Sequence, residues 1–139
     1  MAKRLAALLL LLIAFALPAE VAGKQAAAPP PTADGTQYHG LNPALVSNLQ
    51  SEGKPRFLRC EIQLMTRQPG AVEQFNLHTP PLRHALLLLF AEQDATALTT
   101  PAGKDALRTA ALDAVRAVLQ DKAGEPLVDD LYFTSFYVQ

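Results

Sequence analysis

The sequence predicts an α+β domain: a small antiparallel or mixed sheet of about three strands, covered by two helices and preceded by an N-terminal apolar leader. Three observations carry this reading. Arg56–Met65 (RFLRCEIQLM) alternates with period two, apolar at Leu58, Cys60, Ile62 and Leu64 and polar at Arg59, Glu61 and Gln63, the pattern of a half-buried strand. The two segments after it carry apolar residues at helical spacing. The chain then closes on an aromatic and β-branched run, VDDLYFTSFYVQ over Val128–Gln139, which suits a terminal strand inside a sheet.

The first residues are of another kind. Met1-Ala-Lys3-Arg4 is short and basic, and Leu5–Leu17 is unbroken apolar sequence. A helix through it would be roughly 20 Å long, against about 30 Å of hydrocarbon in a bilayer. Pro18 and Glu20 interrupt the run, and Ala19, Ala22 and Gly23 are small residues after which a signal peptidase could cut. Residues 1–23 therefore read as a signal peptide or as a membrane anchor. Lys3 and Arg4 place the rest of the chain outside the cytoplasm in either case. Residues 24–37 follow as an Ala/Pro-rich linker, with Pro29, Pro30 and Pro31 favouring extended polyproline geometry. The folded domain is expected over 38–139.

Within that domain, Leu41–Leu49 reads as the first strand, with Pro43 confined to its start or to a sheet edge because it has no N–H to donate. Gln50–Pro55 (QSEGKP) is a turn, so this strand and Arg56–Met65 form an antiparallel hairpin. After the breaker Pro69-Gly70, the segment Ala71–Gln93 is helical, with Val72, Phe75, Leu82, Leu86, Leu89 and Phe90 on its apolar positions. Pro80 and Pro81 predict a kink or break, Pro81 falling in the first turn of the second piece. Leu86–Leu89 is apolar all round, which predicts burial on more than one face. The next helix opens on a cap at Thr100 with Pro101 at its first position, and Gly124 ends it. Its apolar stripe is Leu107, Ala111, Ala114, Val115, Val118 and Leu119.

Composition excludes more than it assigns. At 139 residues and net charge −1, with no long run of one sign after residue 4, the chain offers no electrostatic footprint for nucleic acid. Cys60 is the only cysteine and lies on the apolar face of its strand, so it reads as a small buried hydrophobe. His39, His78 and His84 show no metal-ligand spacing. Asp129 and Asp130 are adjacent and point to opposite sides of a strand, poor geometry for a carboxylate pair. Ser47 and Ser135 lack a nucleophile-elbow context, and no glycine-rich phosphate loop occurs. A hydrolase would need a pocket organised around His78 or Asp129 that no local pattern announces. The residues assign no catalytic, cofactor-binding or metal site.

Five pieces in order carry a resemblance to a known family. They are Tyr38-His-Gly-Leu-Asn-Pro43 running into Val46–Leu49; Arg56–Leu64; Pro80–Leu89 (PPLRHALLLL); Leu98–Lys104 (LTTPAGK); and the terminal Tyr132–Gln139 (YFTSFYVQ). Over roughly Tyr38–Gln139 the chain resembles the flagellar basal body-associated protein FliL family. The resemblance implies an inner-membrane protein with one N-terminal span and a periplasmic domain similar to the stomatin-type fold. It also implies association with the stator units of the flagellar motor, ring-like self-assembly, and a role in motility, swarming and chemotactic control of rotation, without catalysis or cofactor. The sequence departs from the family pattern in its short leader and, on the first helix, at Pro81 and His84. A soluble periplasmic binding or assembly-assisting module that keeps the fold without the motor role is the alternative.

Overall fold

A computed structural model of the chain describes residues 32–139. The leader at 1–23, and the linker up to residue 31, lie outside the described residues.

The alternating stretch forms the axis of the fold. It is strand β3 (Arg56–Thr66), and every other strand pairs with it in antiparallel fashion. β4 (Asp130–Val138) runs along β3 from Leu58 to Met65. The opposite edge of β3 is shared by two shorter strands. β1 (Gln37–Gly40) pairs with its second half and β2 (Leu45–Leu49) with its first half. The sheet is therefore antiparallel and four-stranded, not three-stranded. The expected first strand, Leu41–Leu49, is shorter and β1 precedes it. Pro43 has no N–H and cannot continue the ladder at that point, so one edge is built from two collinear pieces. The Arg83 guanidinium spans the gap, donating to the carbonyl of Leu41 at 3.1 Å and to that of Pro43.

Residues 32–36 lead into β1 through a turn, in which Gly35 N donates to Thr32 O at 2.9 Å. The Asp34 carboxylate accepts from the Thr32 hydroxyl and from Thr36 N, and the Thr32 contact foremost lowers its pKa to about 2.

Among the described residues, three helices lie on one face. The expected break in Ala71–Gln93 occurs and gives two helices: α1 (Ala71–Leu77) and α2 (Thr79–Ala91). The break falls at His78, ahead of Pro80 and Pro81, because both prolines are then in the first turn of α2, where backbone N–H groups have no intrahelical partner to lose. The Thr79 hydroxyl donates to Phe75 O at 2.8 Å and satisfies one of the carbonyls left open at the end of α1. α2 turns Leu82, Leu86 and Phe90 fully inward. Leu87 and Leu89 are half-buried, but Leu88 is 56% exposed. The piece is thus buried on more than one face, as expected, with the sheet and the next helix covering two sides of α2 and Leu88 left on the uncovered side.

α3 (Pro101–Ala123) follows a short 3-10 turn (Ala97–Thr99) and matches its sequence reading closely. Thr100 Oγ accepts from Gly103 N at 3.0 Å as the cap, and Gly124 closes the helix with φ of 80°. Leu107, Ala111, Val115 and Leu119 form its buried line. Together with Leu58, Cys60, Ile62 and Leu64 of β3 they belong to one continuous core, each large aliphatic side chain contributing roughly 1.5–3 kcal/mol by leaving water.

β4 carries a bulge. Ser135 opposes Glu61 while Phe133 opposes Ile62, so Thr134 is the extra residue. Strict alternation would send Phe133 and Phe136 to opposite faces. The bulge instead brings them together on the inner face, with ring centroids 5.0 Å apart and Phe90 packed on Phe133 at 6.4 Å.

Candidate interaction surface

The polar residues singled out in the sequence are dispersed by the fold, and most have structural duties. His39 lies on the inner side of β1 opposite Leu64, tilted against Phe75 at 5.9 Å, and burial lowers its pKa from the ordinary value. His78 sits at the α1–α2 junction, where its N–H donates to Gln74 O at 2.9 Å and its carbonyl accepts from Leu82 N at 3.1 Å. His84 is exposed on α2. Ser47 is nearly buried, and its hydroxyl donates to Asn48 O at 3.1 Å and lies 3.5 Å from Leu87 O. Ser135 stands beside Glu61 across the sheet. Cys60 is fully buried, and that burial pushes its thiol up to about 12. A thiol held neutral and away from solvent is a poor nucleophile.

Asp129 and Asp130 separate as their adjacency requires. The Asp129 carboxylate accepts from Arg67 N at 2.6 Å, and its own N–H donates to Met65 O at 2.8 Å. Asp130 accepts from Arg108 Nη1 at 2.8 Å and from Leu131 N at 2.7 Å. The approach to β4 is held further by Arg116, which donates to the carbonyls of Val128 (3.3 Å) and Asp129 (3.0 Å), and by the Thr66 hydroxyl, which donates to Leu127 O at 2.7 Å. Asp129 pins the approach to β4 to the end of β3, and Asp130 ties the start of β4 to α3. Among the described residues no three His, Cys, Asp or Glu side chains come together in a metal-binding group.

What remains free is surface suited to contact. The helices cover one face of the sheet, and the other carries an exposed cross-strand row of Val46, Arg59 and Tyr137, in which Val46 is 55% and Tyr137 59% exposed, with Phe57 beside it. A cavity of about 370 Å³ lies apart from this row, where Pro101, Lys104, Asp105 and Arg108 of α3 meet Tyr132 and Phe133 of β4. Neither His78 nor Asp129 lines it. Sequence reasoning missed this cavity because its walls are ordinary residues of a helix and a strand far apart in the chain. Among the described residues no helix is long and apolar enough to cross a membrane.

No curated protein matches the chain significantly. A family model described as "Flagellar basal body-associated protein FliL" matches residues 38–139, the whole stretch from within β1 to the end of β4 and more than half of the sequence. That match takes in the axial strand, the three helices and the terminal aromatic strand, and with it the chain belongs to the FliL family of flagellar basal body-associated proteins.

Proposed function

We propose that this protein is a non-enzymatic accessory component of the flagellar basal body whose 38–139 domain works in the periplasm by contact with stator and basal-body proteins and with further copies of itself. On this reading it supports motility, swarming and chemotactic control of rotation, and its domain is of the stomatin type. The observation that carries the proposal is the family match across the full α+β domain. It is supported by the disposition of the polar residues, in which Asp129, Asp130 and Arg116 are engaged in holding β4 and Cys60 is withdrawn into the core. The outer sheet face that is left over sets exposed Val46, Phe57 and Tyr137 around Arg59, a mixture of apolar, aromatic and arginine groups suited to contact patches.

A deletion strain complemented in trans tests the proposal. The expected result is reduced spreading on soft agar and loss of swarming or of rotation under viscous load, restored by the full chain. Unchanged behaviour in all of these conditions refutes it.

The leader favours a second reading of how the domain is held. Its apolar run, Leu5–Leu17, is short for a span and is followed by Pro18 and Glu20, which suits release of a soluble periplasmic module after cleavage near Ala19 to Lys24. N-terminal sequencing of the expressed protein, with its partition between membrane and soluble periplasm, separates the two. An intact Met1 in the membrane fraction supports the anchored form and rules out the soluble one.

A further inference from the structure

The cavity between α3 and β4 is at a strand edge, and the register requires it to be there. Tyr132 opposes Gln63 and Phe133 opposes Ile62, so their side chains leave β4 on opposite faces of the sheet. A space lined by both, and by the first turns of α3, wraps around the outer margin of β4. That margin is open: β4 is nine residues long and, among the described residues, pairs with β3 alone, so alternate N–H and C=O groups along it have no strand partner.

The charge around the opening is specific. Arg108 is neutralised on two sides, by Asp130 at 2.8 Å and by Asp105 at 3.5 Å. Lys104 makes no ion pair among the described residues; its ammonium stands 5.1 Å from the centre of the Phe136 ring. The floor is apolar, formed by Pro101 and the two aromatic rings. An unpaired strand edge, an apolar recess at the small end of the size range for binding pockets and one unneutralised cation beside it make a consistent set of recognition elements.

We propose that β4 is a docking edge for an extended segment of a partner protein, which adds to the sheet as a further strand, places an aromatic side chain in the recess and sets a carboxylate two residues away against Lys104. The spacing follows from strand geometry, since residues i and i+2 share a face. Main-chain hydrogen bonds to β4 supply affinity, and the recess with Lys104 supplies selection. The bulge at Thr134 breaks the evenness of the edge, which works against indiscriminate pairing between copies and favours a matched partner. This inference stands apart from the motor reading and holds for a partner of any origin with that chemistry.

The test titrates the isotopically labelled full chain with a synthetic peptide about as long as β4, with glutamate and phenylalanine two residues apart among threonine and valine. The readouts are amide shifts and hydrogen exchange. The expected result is saturable binding that slows exchange at β4 amides. Binding becomes at least about tenfold weaker when alternate peptide nitrogens are methylated, which removes the ladder bonds without changing the side chains. Lys104→Glu, an exposed change whose folding is verified by circular dichroism, weakens the glutamate peptide about fivefold or more and favours its lysine counterpart. The proposal is overturned by equal binding of methylated and unmethylated peptides, or by slowed exchange confined to the Val46–Tyr137 face. Absence of any effect at millimolar peptide overturns it too. So does concentration-dependent protection of β4 without peptide, which would make a second copy the occupant.

Discussion

Gly103 lies in the first turn of α3, where the usual rule favours alanine: Gly→Ala in a helix gains about 1 kcal/mol through backbone entropy. Here the tertiary structure reverses the sign. A Cβ on Gly103 would fall 1.9 Å from the carbonyl oxygen of Ala97 and 2.7 Å from its carbon, where real Cβ atoms essentially never come within 3.0 Å. The obstacle is backbone, so relief requires the 3-10 turn and the start of α3 to move apart by about 1 Å, a large displacement in a close-packed protein. That movement acts on the bonds that join them: Thr100 Oγ donates to Ala97 O at 2.9 Å, Thr100 N to the same oxygen at 3.2 Å, and Gly103 N to Thr100 Oγ at 3.0 Å. Weakening two or three such bonds at about 1 kcal/mol each, with strain of about 1 kcal/mol, outweighs the entropic gain. We expect Gly103→Ala to destabilise the domain by about 1–3 kcal/mol, read as a lower urea midpoint at unchanged slope. A Gly103→Ala protein as stable as the parent, or more so, would refute the close approach of Ala97 and with it the packing of the turn against α3.

Other expectations follow from the same contacts. Arg116→Lys should cost about 1–3 kcal/mol, nearly as much as Arg116→Ala, because one ammonium does not reproduce the fork that reaches both Val128 and Asp129 carbonyls; full recovery of the urea midpoint by lysine would contradict it. Leu86→Ala should cost about 2–5 kcal/mol and Leu88→Ala less than about 1 kcal/mol, since the first is wholly buried and the second 56% exposed; equal losses in thermal unfolding would show that the outer side of α2 is covered. The Cys60 thiol is raised from 9.0 to about 12 by burial, so between those pH values the unfolded chain releases a proton that the native chain keeps. Stability contributed by this group therefore falls as pH rises above about 9, and Cys60→Ala should flatten that part of the stability curve, whereas an unchanged slope would sink the assignment. At neutral pH the native thiol should resist a disulfide reagent that labels it at once in urea.

Much of this was legible along the chain because the signals are local. Alternation from Leu58 to Leu64 depends only on residues two apart, and it marked the central strand and its buried face correctly. Thr100, Pro101 and Gly124 act within a turn of the helix they bound, so both ends of α3 could be read to the residue. β1 escaped notice because four residues, one of them glycine, carry too little pattern; they become a strand only because the second half of β3 offers unpaired groups beside them. Leu88 shows a related limit, since its exposure could not be read from its neighbours. An apolar residue states what it prefers, and whether a covering element reaches it is decided elsewhere.

By itself, then, the amino-acid order determined the α+β class, the axial strand, the position of the breaks and caps, and the family pattern in its five pieces, since all of these rest on spacings within a few residues. Only the tertiary structure decided the rest. It divided one sheet edge between β1 and β2, shifted β4 by a bulge so that Phe133 and Phe136 meet inside, and set Lys104 and Arg108 beside the open margin of β4. Those outcomes depend on which residues of separate segments face one another, from β1 and β2 on β3 to α3 on β4, and no local propensity encodes where two such segments will come to rest against each other.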